Sequence, residues 1–188
     1  MRTKGISLLA AAGVLVLAAC GGSSSSSAPT TTAVQLSNAS WEKAGPNPSV
    51  SAKMICQKEA REEIAASLSV TETRVTTPTW VDHTYACTYV YPKGRITLSV
   101  KEFVGERDTT AYYDGLVHRY GTTDSLKGLG QGAWQLKNDD VVARKDYKVL
   151  LVDVSGVPAG NGAFVPVMQR SDVAVNIATT IMGCWTGA

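Results

Sequence analysis

Histidine, phenylalanine and cysteine are scarce in this chain of 188 residues, with two, two and four copies. His83 and His118 lie far apart, and no HExxH, Cys/His metal spacing or triad signature accompanies them, so zinc chemistry and nucleophilic catalysis have no legible seat. Charge of one sign is lacking too. Eighteen Lys and Arg face sixteen Asp and Glu without forming a basic stripe, which removes the electrostatic footprint that nucleic acid requires. The longest apolar stretch, Ile6 to Ala19, has fourteen residues, short of the ~20 that a membrane helix needs.

That short stretch follows Arg2 and Lys4, and the two together read as the basic and apolar regions of an export signal. Leu17-Ala18-Ala19-Cys20 then resembles a bacterial lipobox, in which small residues fit the lipoprotein signal peptidase and the cysteine sulfur takes a diacylglycerol. The alternative is an ordinary secretory signal whose small-residue end meets a cysteine. Cleavage makes Cys20 the first residue, and two or more acyl chains anchor stably where one does not. The expected location is therefore the outer, extracytoplasmic face of the cell membrane, with Cys20 bound to membrane lipid. Without residues 1–19, sixteen basic side chains balance sixteen acidic ones.

Three parts follow: a lipoprotein signal peptide over 1–19, lipidated Cys20 with a flexible Ser/Thr-rich linker over 20–48, and one globular domain over 49–188. The linker sequence has little to bury. Trp41 is its exception, docking on the domain or touching the membrane surface. Cys56, Cys87 and Cys184 remain in an oxidising compartment, where three thiols allow one bridge and one remainder. Cys56–Cys87 is the preferred pair, because it pins the first helix to the following sheet. Cys184 paired with either of them is the alternative.

Spacing predicts three amphipathic helices. In the first, about Ser51 to Leu68, Cys56, Ala60, Ile64 and Leu68 recur every four residues. The second, about Thr110 to Tyr120, ends before Gly121, and the third begins at Ser171-Asp172. Between the first two, runs around Pro92-Lys93-Gly94 read as a hairpin, and about Arg74 to Trp80 adds a strand that Pro78 confines to an edge. After the second helix come three short strands, broken at Asn138-Asp139-Asp140 and near Asp146-Tyr147. The predicted fold class is α+β: an antiparallel sheet of about five to six strands with three helices packed on it.

Candidate sites are few. Gly128 to Trp134, "GLGQGAW", has the glycines of a phosphate loop but precedes a strand instead of opening a helix, so a tight turn is expected and no cofactor. A two-residue turn at Asp146-Tyr147 sets Asp153 opposite Asp140. Like charges there require a shifted register, a nearby cation or ends splayed into water, and no Ca²⁺ loop pattern is present. Tyr85, Cys87, Tyr89 and Tyr91 share one strand face, a binding platform if uncovered and core if the first helix lies on it. The Gly156–Arg170 segment is long for a compact domain and carries Phe164, Val165, Val167 and Met168, which makes it the expected contact for an envelope protein or small apolar ligand.

The lipobox with its Ser/Thr spacer, Cys56, "YACTYVY", "GLGQGAW", "VVARKDYKVLLVDVSG" and "IMGCWTG" together resemble actinobacterial secreted lipoproteins of unknown function. More distantly, the chain is similar to extracellular sensor-type domains of receptor kinases, although three cysteines depart from their two-bridge pattern. The resemblance implies an α+β sandwich-like domain outside the membrane and carries over no catalytic residue. The expected function is a non-enzymatic binding or sensory module of the envelope. The alternatives are a small envelope hydrolase and a structural lipoprotein that assists assembly of an envelope complex.

Overall fold

The computed structural model describes residues 42–159 and 168–186. In chain order the elements are α1 (Val50–Met54), α2 (Lys58–Leu68), β1 (Arg74–Val75), β2 (Thr79–Val81), β3 (Thr84–Tyr91), β4 (Gly94–Glu102), α3 (Glu106–Tyr120), β5 (Thr122–Ser125), β6 (Gly132–Leu136), β7 (Val141–Lys145), β8 (Lys148–Asp153) and α4 (Arg170–Thr186). The strands form one antiparallel sheet in the order β1-β3-β4-β8-β7-β6-β5, with β2 also on the outer edge of β3. The class is α+β, as the sequence predicts.

Among the described residues there are eight strands and four helices, against the expected five to six and three. The first helix is two. Its chain tightens at Ile55–Gln57, where Cys56 N–H and Gln57 N–H reach back only three residues, to the carbonyls of Lys53 and Met54. The Arg74–Trp80 run is also two elements, because Pro78 has no N–H to give a ladder. Thr76 sits between them and bonds Thr88 through both its backbone and its hydroxyl. β5, Thr-Thr-Asp-Ser, is polar and mostly exposed, so no alternation announces it.

The two sheet faces are treated differently. Ile96, Leu98 and Val100 of β4 face the same side as Cys87, Tyr89 and Tyr91 of β3 and Leu150 and Val152 of β8, since Cys87 pairs with Leu98 and Leu98 with Val152. α1, α2 and α4 bury that face through Ala52, Ile55, Ala60, Ile64, Leu68, Ile177 and Ile181. On the reverse face α3 lays Tyr113, Leu116 and Val117 over Leu136, Val142 and Val149. β3 and β4 keep that reverse face polar, with Thr88 and Thr97 hydroxyls 3.0 Å apart.

The Cys56–Cys87 disulfide ties the α1–α2 junction to β3 across a Cα–Cα distance of 6.1 Å. Tyr89 uses the same junction, donating its hydroxyl to the Ile55 carbonyl at 2.6 Å. The tyrosine face is therefore core: Tyr89 and Tyr91 are buried and Tyr85 is half-buried. Burial pushes the Tyr89 and Tyr91 hydroxyls well above the ordinary phenol range. Trp185 closes the layer by donating its indole N–H to the Ser51 carbonyl at 3.0 Å.

Candidate functional site

The β6–β7 turn brings Asn138, Asp139 and Asp140 to the end of the sheet where β8 finishes at Asp153. Its backbone closes with Asp139 N–H on the Leu136 carbonyl at 3.0 Å and Leu136 N–H on the Asp140 carbonyl at 2.8 Å. Asp139 takes φ +71°, a left-handed conformation that aspartate tolerates better than most residues.

The two aspartates hold different chain segments. Asp140 Oδ1 accepts the Val154 N–H at 2.8 Å and its Oδ2 accepts from Asn138 Nδ2 at 2.6 Å. Asp139 Oδ2 accepts from Arg170 Nε at 2.8 Å and Nη2 at 2.5 Å. Val154 directly follows β8 and Arg170 opens α4. Adjacent residues of one turn therefore tie down both flanks of the 155–169 connection.

This geometry accounts for the like-charge register. Val141 pairs with Val152, so Asp140 and Asp153 stand one step beyond, as the sequence predicts. Asp140 is buried, and desolvation raises its carboxyl to about 6, with the Asp153 charge adding to the rise and the Val154 and Asn138 hydrogen bonds and Arg170 opposing it. Asp153 turns away to accept the Ser155 N–H at 2.8 Å. The nearby cation is Arg170. Among the described residues no group of three or more His, Cys, Asp or Glu is placed to hold a metal ion.

A carboxyl raised from an unfolded value near 3.9 to about 6 binds its proton more tightly when folded. Protonation thus favours the native state, and the stability it contributes is full below the unfolded value and lost as pH rises through about 6. Asp140→Asn removes that dependence. It is expected to be more stable than the parent at pH 8 by about 1–2 kcal/mol, a fraction of the full linkage because the new amide must find an acceptor. Among the described residues Asn138 Oδ1 is buried without a partner, and turning that amide would offer one. Urea unfolding at pH 5 and pH 8 checks this, and an unchanged pH dependence in the variant would remove Asp140 as its source.

The opposite end of the sheet holds a second polar cluster. Glu102 and Lys148 are cross-strand partners on β4 and β8, and both are buried, Lys148 at 0% exposure. Lys148 Nζ donates to the Glu42 carbonyl at 2.7 Å, while Glu102 accepts from the Ser49 hydroxyl and, at 3.4 Å, from the Ser49 N–H. Burial lowers the Lys148 ammonium from its ordinary value, and Glu102 and Glu42 oppose that. Sequence reasoning passed over this pair. Its signal was parity, since Glu102 continues the inward series Ile96, Leu98, Val100 and Lys148 begins the inward series Leu150, Val152.

The remaining expected residues are dispersed. Cys20, Phe164, Val165 and Val167 lie outside the described residues. Met168 is half-buried and packs against the main core. Cys184 lies on α4, outside the Cys56–Cys87 bridge, and is half-buried. His83 occupies the Asp82–His83 turn, where both residues have positive φ, with its ring edge-on to Trp80 at 5.7 Å. His118 is exposed in the last turn of α3. "GLGQGAW" leads into β6, and its Gly130, at φ +58°, passes so close to the Arg144 carbonyl that a Cβ would overlap it.

No helix among the described residues is long and apolar enough to cross a membrane. No protein-family model, curated protein or solved structure matches the chain.

Proposed function

We propose that this chain is an extracytoplasmic lipoprotein, anchored by acylated Cys20, whose domain is a non-enzymatic binding module contacting an envelope protein or small apolar ligand through the 156–170 segment. The observation that carries the reading is the double tie from one turn: Asp140 to Val154 and Asp139 to Arg170. The two ties fix Val154 and Arg170, the residues bordering this segment, on one turn, and binding residues are often carried on connections whose ends a rigid scaffold holds. The tie sits opposite the end where Glu42 and Ser49 bring the chain onto the domain.

Two measurements in the producing cells test it. Cys20→Ala is expected to move the protein from the membrane fraction to the soluble fraction, and full membrane retention would refute lipidation as the anchor. Crosslinking to neighbours is expected to lose its main products when Phe164, Val165 and Val167 are replaced by serine. The same products at undiminished yield would place the contact elsewhere.

A further inference from the structure

α3 covers only part of the reverse sheet face, packing over Leu136, Val142 and Val149 of β6, β7 and β8. On β1, β3 and β4 the same face keeps side chains that are exposed or half-buried. Arg74 pairs with Val90 and Val90 with Arg95. Residues paired across antiparallel strands point to the same side, so three adjacent strands set two arginines in one row, one on each side of a valine. The next row holds Thr88, Thr97 and Asp153, each paired with the one before it.

The two rows hold more donors than acceptors. Arg61, Arg144 and Arg170 lie against Glu72, Glu106 and Asp139, whereas the exposed Arg74 and Arg95 guanidinium groups meet no acceptor among the described residues. Arg95 is nonetheless held in place. Its backbone N–H donates to the Gly156 carbonyl at 3.1 Å, and its stem lies so close to Gly156 that a Cβ there would overlap it. An open cavity of about 430 Å³ lies beside it, lined by Val90, Gly94, Arg95 and Gly156. The Thr88 and Thr97 hydroxyls are 3.0 Å apart, so one donates to the other and the second keeps its hydrogen. Thr76 Oγ1 accepts the Thr88 N–H at 2.9 Å and likewise retains an O–H to donate. The acid on these rows, Asp153, accepts the Ser155 N–H at 2.8 Å.

Charge and donor count select the ligand. Neighbouring strands lie about 4.8 Å apart, which puts the two arginine Cα atoms about 10 Å from each other, a gap that two long side chains can close on one group held over Val90. A carboxylate has two oxygens, which a single arginine can take in a bidentate pair. A phosphate group presents three peripheral oxygens, enough for two arginines and a hydroxyl. We propose that this corner of the sheet, between Arg74 and Arg95 and bordered by the threonine row, binds the phosphate group of a small ligand. The site is independent of acylation at Cys20 and shares only Gly156 with the 156–170 segment.

Inorganic phosphate is the probe, added to the full chain at constant ionic strength with chloride as the balancing anion and followed by amide NMR. Saturable shifts are expected at Val90, Arg95, Thr97 and Gly156, while acetate at equal concentration leaves those amides in place. Arg74→Gln and Arg95→Gln are each expected to weaken phosphate binding about tenfold, the loss of one charge-assisted contact. Arg107→Gln removes an exposed arginine on α3 and is expected to leave the binding unchanged, which controls for net charge. The amide spectrum of each variant shows whether it folds, and Arg74→Gln, on the outer strand, suffices if Arg95→Gln disturbs the Gly156 contact. Shifts that stay linear and spread over the whole surface, or an equal loss with Arg107→Gln, overturn the site. Acetate shifts that match those of phosphate overturn the choice of ligand. The readout is taken in buffer without a membrane, so its failure is distinct from a failure of the anchor or of the crosslinked contact.

Discussion

Lys148→Met is expected to destabilise the folded domain by about 3 kcal/mol, because it removes the ammonium that bonds the Glu42 carbonyl and offsets the charge of the buried Glu102 carboxylate. Lys148 and Glu102 face each other across β4 and β8, and neither is more than 1% exposed. Methionine keeps the apolar stem but leaves the Glu102 carboxylate in a site without the ammonium. Glu102→Gln is expected to destabilise for the converse reason, stranding a cation whose charge burial already disfavours. The double variant should lose less than either single one, because both charges are then gone. A residual loss of about 1 kcal/mol is expected from the vacated hydrogen bond to the Glu42 carbonyl. Urea unfolding of the four chains gives the coupling energy, and simple additivity would show that the two charges do not depend on each other.

Removing the disulfide should have an effect of similar size. Cys56 and Cys87 are 31 residues apart, and closing a loop of that length removes about 3–4 kcal/mol of chain entropy from the unfolded state in the usual model. The bridge also lies beside a break between helices where Tyr89 bonds the Ile55 carbonyl, so unfolding there would release part of the core. The Cys56→Ala/Cys87→Ala chain is expected to unfold at lower urea than the oxidised parent and to be indifferent to reductant. Cys184→Ala should keep the reductant sensitivity of the parent. If the sensitivity disappears with Cys184 instead, that residue belongs to the bridge in solution.

Much of this fold can be read from periodicity. The β3–β4 hairpin follows from its Pro92–Lys93 turn and the alternation of Ile96, Leu98 and Val100, and the β7–β8 register follows from the Asp146–Tyr147 turn. Elements whose formation depends on partners elsewhere could not be read that way. β5 has no apolar face of its own and exists because β6 offers it a ladder. The α1–α2 break is invisible to a four-residue repeat that runs through it, since Ala52, Ile55, Ala60 and Ile64 are buried on both sides.

The site divides in the same way. Asp140 and Asp153 could be set opposite each other from strand lengths alone, yet their resolution by Arg170 could not. Arg170 lies thirty-one positions from Asp139, and its approach depends on how α4 returns to the sheet. Glu102 and Lys148 carried a parity signal that becomes interpretable only once β4 and β8, separated by an intervening helix and three strands, are known to be neighbours. Local pattern gives faces, whereas pairing across the fold gives chemistry.

The two margins of the sheet bear on behaviour at high local concentration. A long, straight outer strand would expose a row of N–H and C=O groups on which another copy could extend the ladder. Here one margin is divided between β1, of two residues, and β2, of three, with Pro78 in the gap. At the other, β5 shifts register between Thr122 and Asp124 and carries an acidic side chain. Neither offers a template long enough for strand-by-strand growth into fibres, so many copies of the domain can be crowded side by side on one surface without polymerising through their sheets.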